Sequence, residues 1–354
     1  MKKTVLILLF TLLLFGCGEN TAYINANHIV NDEIVSIIEI PEYIIVGGEK
    51  FSTALSELNL ERINLTDYDL RQLRYMTSLE SVALRSYQIT DLTPLANLTS
   101  LHSLSLFVSE LDNIAPIAGL VNLQSLRISG SLIDDLSPIS ELTNLKTLQI
   151  SGSRIDDLSP LAELLNIEQL SLNSNWISDI MPLASLTNLK LLRLDVNSIE
   201  DITMLENMIN LEELHLGGNV IRDISPLAGL TNLKYLCLGG NQISDITPLS
   251  ALTNLETLSL SGWDTQLSIK RISDISPIVD LTNLTVLLLS HNEISDISYL
   301  AKLPLLEELS LNGNQINDLT PLAELRYLNH LGLVENPITD WSPVAHIPHV
   351  IGRP

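Results

Sequence analysis

Aromatic side chains are scarce in this chain: four Phe, three Trp and eight Tyr among 354 residues, 4% in all. That excludes a core filled by a few bulky groups and leaves the aliphatic residues to pack in many small, similar layers. Cysteine is nearly missing too, with only Cys17 and Cys237. Positive charge is short: 19 Lys and Arg stand against 42 Asp and Glu, for a formal net charge of −23. Nucleic acid is therefore excluded as a partner, because phosphates are repelled wherever salt does not screen them. The chain also lacks HExxH, GxSxG, a glycine-rich phosphate loop and CxxC, so no enzyme is expected. The HIPH stretch holding His346 and His349, with His330 nearby, has no strong zinc spacing. Neither a metal nor another cofactor is expected.

The N-terminus has the parts of a secretory signal: Lys2 and Lys3, an apolar run from Val5 to Phe15, then small residues. The run is too short to span a bilayer comfortably. The LFGC that closes it resembles the lipobox of bacterial lipoproteins, although Phe15 is bulkier than that motif usually carries. The resemblance implies a signal peptide over residues 1–16, acylation of Cys17 as the new first residue, and an exported, membrane-anchored lipoprotein of the outer membrane or cell surface. Each buried CH₂ of an acyl chain contributes roughly 0.8 kcal/mol, so several chains hold firmly. With Cys17 lipidated only Cys237 remains, which leaves no intramolecular disulfide. Stability must then come from stacking alone.

What the chain has in abundance is one repeated phrase. LxxLxL begins at Leu79, Leu101, Leu123, Leu145, Ile167, Leu189, Leu211, Leu233, Leu255, Leu284, Leu306 and Leu328, at a spacing of 22 except for 29 after Leu255. A looser copy starts at Leu55. The consensus LxxLxLxxNxIxDIxPLAxLTN resembles leucine-rich repeats, specifically the 22-residue internalin type. The resemblance implies an α/β solenoid: a right-handed leucine-rich-repeat horseshoe with one short parallel strand per coil on the concave face and 3-10 turns on the convex face.

Residue chemistry agrees place by place, counting each LxxLxL leucine as place 1. Leucines at places 1, 4 and 6 and the Ile/Leu of the DI and PLA segments point inward, and only neighbouring coils can bury them. Asn at place 9, as in Asn175, Asn197, Asn219 and Asn241, both donates and accepts, which suits a backbone bending away from a strand. Tyr87, Ser109, Ser131 and Ser153 stand there in four early coils, so that edge is expected to be bound less tightly. Asp at place 13 followed three places on by Pro, as in Asp223 and Pro226, is the pattern of a capped short turn. The negative charge is thus largely structural. No calcium-solenoid signature accompanies the aspartates.

Function then falls to the strand residues between the leucines. Most are small, so the larger ones stand out as candidate partner contacts: Arg85, Phe107, Arg127, Gln149, Arg193, Asp195, His215, Tyr235 and His291, with Glu213 and Glu308 on the same face. Arginines on one face of so acidic a chain suit a carboxylate or phosphate on a partner, and Tyr, Phe and Arg dominate interface energetics. A protein partner is expected; a glycan is the alternative, with Trp263, Tyr235 and Phe107 stacking on sugars. Cys237 reads as a small filler.

The 29-residue coil reads LSLSGWDTQLSIKRISDI at 258–275, which places Trp263 where Asn belongs and puts a rim insertion near 263–271. Residues 17–31 read as a tether and 32–54 as a strand-rich N-terminal cap. Residues 55–354 then form a repeat domain of about 13 coils.

Overall fold

The structure, a computed structural model, describes residues 28–30, 33–35, 40–262 and 271–353. Two antiparallel pairs open it: β1 (His28–Val30) with β2 (Glu33–Val35), and β3 (Tyr43–Val46) with β4 (Glu49–Ser52). A 14-stranded sheet follows in strict sequence order. Its strands are β5 (Glu57–Leu60), β6 (Ser81–Ser86), β7 (Ser103–Val108), β8 (Ser125–Ser129), β9 (Thr147–Ser151), β10 (Gln169–Ser171), β11 (Leu191–Arg193) and β12 (Glu213–His215), then β13 (Tyr235–Cys237), β14 (Thr257–Ser259), β15 (Val286–Leu288), β16 (Glu308–Ser310), β17 (His330–Gly332) and β18 (His349–Ile351). All pairings within it are parallel, as the resemblance implies.

Alternation fixes which face each residue takes. Leu214 and Leu216 are fully buried while Glu213 and His215 face outward. Burying one leucine contributes about 2 kcal/mol, so a slip by one residue would turn a row of leucines into water. The constant period then sets residues 22 apart side by side, as in Arg127 opposite Gln149 and His215 opposite Cys237. Across the core lie short 3-10 turns such as Ser225–Leu227, with Pro226 where no N–H is needed. Every one of these turns is preceded by the Asp or Asn of place 13, whose Oδ1 accepts the N–H two residues on: Asp223 from Ser225 at 2.8 Å, and Asn113 from Ala115 at 2.9 Å. This is an Asx turn rather than a cap from the N-cap position itself.

The amides of place 9 stitch the coils together. Asn219 Nδ2 donates to the carbonyls of Leu194 and Leu216 at 3.0 and 2.9 Å, and its Oδ1 accepts from the Ile199 N–H at 3.0 Å. The serine coils solve the same problem differently. Their strands run five or six residues instead of three, Gly130 N–H donates to the Ser151 carbonyl, and Ser131 shares a 2.6 Å hydroxyl bond with Ser153. Longer backbone pairing, not a looser edge, replaces the amides.

A second ladder had no role assigned in the sequence. The Asn closing each LTN donates to the place-21 carbonyl of the preceding coil, as Asn232 does to Ile209 at 2.8 Å and Asn254 to Thr231 at 2.8 Å. The 29-residue coil does not disturb it: Asn283 reaches Thr253 at 2.9 Å, and Thr257 pairs with Val286 in register. Trp263 and the body of the insertion lie outside the described residues, as does Cys17. Among the described residues no helix is long and apolar enough to cross a membrane.

Candidate binding face

Two groups of large side chains rise from the solvent side of the sheet. The first sits on β6–β9. Arg85 is opposite Phe107 in the strand register, with its guanidinium carbon 5.2 Å from the ring centroid, a cation–π distance. Arg127 lies one strand further on, between Ser105 and Gln149. It is exposed and makes no hydrogen bond or ion pair with any described residue.

The second group occupies β11–β13 and the turn after β11. Arg193 Nη2 is 3.6 Å from Glu213 Oε2. His215 stands between two carboxylates, Nδ1 4.0 Å from Asp195 Oδ2 and Nε2 3.8 Å from Glu213 Oε2. Both separations exceed a hydrogen bond, and Nε2 is buried with no hydrogen-bond partner among the described residues. The imidazole stacks on Tyr235, and Asp195 is anchored by the Gly217 N–H at 2.9 Å. Burial of His215 pushes its pKa below the ordinary 6.5; Asp195 pulls it back up, Arg193 lowers it and Glu213 raises it again. The Tyr235 phenol is pushed up, first by burial.

Cys237 lies beside His215 in the same row. Burial raises its thiol pKa against hydrogen bonds from Gly239, Ser259 and Gly217, so at neutral pH it is a thiol and a poor nucleophile. Gly217 is required by crowding here: a Cβ would stand 3.2 Å from both Asp195 Oδ1 and Cys237 Sγ.

The sequence candidates thus divide. Arg193, Asp195, His215 and Tyr235 are brought together, with Glu213. Arg85, Phe107, Arg127 and Gln149 form a separate group, Arg127 being three strands from Arg193, roughly 14 Å. His291 belongs to neither, lying on the turn after β15 at a positive φ of 58°, its N–H donating to Asn312 at 2.6 Å. At the far end Glu308, His330 and His349 form one row, and the two imidazoles stack at 4.9 Å. Among the described residues no group of three or more His, Cys, Asp or Glu is placed to hold a metal. One feature of the face was overlooked in the sequence: at place 2 Lys and Glu alternate, and Lys190 meets Glu168, and Lys234 meets Glu212, each at 2.7 Å. The signal was present as opposite charges 22 residues apart.

No curated protein matches the sequence. The family described as leucine-rich repeats (2 copies) matches residues 121–163, 187–229, 209–251, 231–279 and 282–324. An internalin (inlF) from Listeria monocytogenes is similar at 31% identity and a TM-score of 0.78, over 87% of this chain and 90% of that one. A leucine-rich-repeat protein of Leptospira interrogans shares the fold at 23% identity and a TM-score of 0.71, over 79% and 74%. So does the ectodomain of a plant membrane receptor kinase from Arabidopsis thaliana, solved in complex with CASPARIAN STRIP INTEGRITY FACTOR 2, at 16% identity and a TM-score of 0.55, over 84% and 47%. The leucine-rich-repeat solenoid is commonly a protein-interaction scaffold, and internalin-like members are generally non-enzymatic binding proteins. The chain belongs to the leucine-rich-repeat family, and within it to the internalin-like proteins of bacteria.

Proposed function

We propose that this is a non-enzymatic, lipid-anchored protein of the bacterial envelope that holds another protein against the concave, strand-lined face of its solenoid. The observation that carries the reading is the central cluster. Arg193, Asp195, Glu213, His215 and Tyr235 converge on three adjacent strands, on a backbone fixed by amide ladders at its edges. A surface already rigid loses little entropy when a partner docks, and Tyr and Arg are the residues that anchor such contacts. The plant receptor ectodomain that shares the fold, itself solved with a bound factor, is consistent with this use. The LFGC stretch with Cys17 supports the anchor.

The test is site-specific photocrosslinking in the native cells. A benzophenone side chain at Tyr235 or Phe107 is expected to trap the same protein, and one at Ala228, exposed on the opposite turn face, to trap none. Equal capture from both faces, or none from the strands, refutes the reading. Cys17→Ser tests the anchor separately: the protein should leave the membrane fraction.

A further inference from the structure

Although the chain carries 42 acidic residues, the strands β6–β10 contain none. Their only charged side chains are Arg85 and Arg127, set among Ser103, Ser105, Ser129 and their neighbours. The contrast with β11–β13, where Arg193 is paired with Glu213, is one of local design. In the centre the protein neutralises its own cation; on β6–β10 it leaves the cations to be neutralised from outside.

The spacing of the three large groups is regular. Arg85 and Phe107 share a register on adjacent strands, and Phe107 is opposite Ser129, two residues beyond Arg127 on β8. From strand spacing and rise, Phe107 and Arg127 are roughly 8 Å apart at their Cα atoms and the two arginines roughly 12 Å. An aromatic ring therefore stands between two guanidinium groups, one resting against it and one free. Around it the floor is short hydroxyls, which donate or accept without blocking approach. At physiological salt charges beyond about 8 Å are screened, so the local pair of arginines, not the chain's negative total, sets what is attracted here.

We propose that this part of the strand face receives an acidic, extended segment of the partner protein, two carboxylates taken by Arg85 and Arg127 on either side of an apolar side chain packed on Phe107. In an extended segment, residues four apart lie roughly 13 Å from each other, which matches the arginine separation and leaves the middle residue over the ring. Guanidinium groups bind carboxylates by parallel paired hydrogen bonds, and hydroxyls of the floor satisfy the segment's backbone. The inference rests on the strand face being the binding surface, and it assigns the chemistry of one end of it.

The probe is a fluorescein-labelled peptide Asp-Ser-Phe-Ser-Asp, titrated against the full-length protein in neutral detergent by fluorescence anisotropy, with Asn-Ser-Phe-Ser-Asn as its uncharged twin and a sulfated oligosaccharide as the competing class. The acidic peptide is expected to bind at least tenfold more tightly than its twin. Arg85→Gln and Arg127→Gln should each weaken it about tenfold, the scale of one charge-assisted hydrogen bond, and Phe107→Ala should weaken both peptides. Arg193→Gln, in the other group, should change nothing. Equal binding of the two peptides, binding of neither up to millimolar concentration, or binding of the oligosaccharide alone overturns the proposal. Crosslinking through Tyr235 would survive that outcome, so failure here is distinguishable from failure of the binding face itself.

Discussion

The imidazole of His215 stacks on the phenol of Tyr235 with ring centroids 4.4 Å apart and planes 21° from parallel. Tyr235 is 20 residues further along the chain, not 22. The same offset joins Arg193 to Glu213 and Asp195 to His215. Direct neighbours on adjacent strands are 22 apart, so each large side chain leans along its strand to meet the residue two places earlier on the next one. Side chains on strands do lean in this way. The result is a diagonal chain from Asp195 to Tyr235 that holds a largely buried imidazole between two carboxylates without hydrogen-bonding Nε2.

That imidazole makes stability depend on pH. Burial holds the folded-state pKa of His215 below its ordinary 6.5, so between the two values the unfolded chain binds more protons than the folded one. The contribution is therefore complete above pH 6.5 and is lost as pH falls from there through the folded value. His215→Gln should flatten this segment of a stability–pH curve measured by urea unfolding. An unchanged slope in the variant would mean that His215 is not the group responsible.

Arg193 and Glu213 are each 45% exposed, and an ion pair so wet is worth under about 1 kcal/mol. A double-mutant cycle with Arg193→Gln and Glu213→Gln should return a coupling energy below that figure. The same substitutions should move the His215 proton resonance in an NMR titration, in opposite directions: removing Glu213 lowers its pKa, and removing Arg193 raises it. A shift of the same sign for both would contradict the arrangement.

Fold and site differ in how far the sequence alone exposes them. The period at Leu211, Leu233 and Leu255 is enough to place every strand and 3-10 turn, because burying the same leucine at the same place in each coil leaves one register. Positions on the solvent face follow from the same count. What does not follow is which of those residues touch. Rows read at intervals of 22 place Arg193 beside His215, whereas the contacts made are diagonal and depend on rotamers. The separation of Arg127 from Arg193 could be counted, but the pairing of one and the freedom of the other depend on that lean. The LTN asparagines were visible as residues but not as donors, since their acceptors, such as the Ile209 carbonyl, carry no sequence signature.

The two asparagine ladders should differ in cost. Asn219 is 5% exposed and serves the carbonyls of Leu194 and Leu216 and the N–H of Ile199. Asn219→Ala strands these buried groups, at about 1–3 kcal/mol for each one left unsatisfied, so a loss of at least 2 kcal/mol is expected. Asn232 makes one exposed bond to Ile209, which water can replace. Asn232→Ala should cost no more than about 1 kcal/mol by the same urea measurement. Equal losses would show that position in the coil does not matter.

Acid should attack the turn face in a second stage. The carboxylates of Asp157, Asp201 and Asp245 are held below the usual 3.8 by hydrogen bonds from the backbone and hydroxyl of the residue two places on, led by the backbone in Asp157 and by the hydroxyl in the other two. A depressed carboxylate stabilises the fold above its unfolded value, and that contribution disappears as pH falls below 3.8. Asn113 shows the remedy already in use, accepting the Ala115 N–H at 2.9 Å without any charge. Converting all three aspartates to asparagine should preserve the neutral-pH melting temperature and raise the one measured at pH 3. Equal acid sensitivity in wild type and variant would remove the Asx carboxylates from the explanation.

The 29-residue coil offers the sharpest test of what each ladder position does. Asn241 accepts the Ile221 N–H at 3.0 Å and donates to Leu216 and Leu238 at 2.9 and 2.8 Å; the next coil carries Trp263 where the following Asn belongs. Replacing residues 263–271 by Asn-Gln, the pair found at Asn241 and Gln242, restores a spacing of 22. The new amide then stands where it can accept the Ile243 N–H and donate to Leu238 and Leu260. Because Thr257 already pairs with Val286, the strands on both sides need no shift. The lost contact is the 3.4 Å bond from Arg271 to the His291 carbonyl, which is long and partly exposed. Regaining one set of buried amide bonds contributes about 1 kcal/mol, so the shortened protein should fold and melt slightly higher than the parent. Capture of the partner through Tyr235 then separates two roles for the insertion. If crosslinking falls while stability rises, the insertion reaches the partner. If both hold, it is only tolerated at the rim. A variant that fails to fold would mean that the insertion completes the coil, against the register that Leu258 and Leu287 keep on their own.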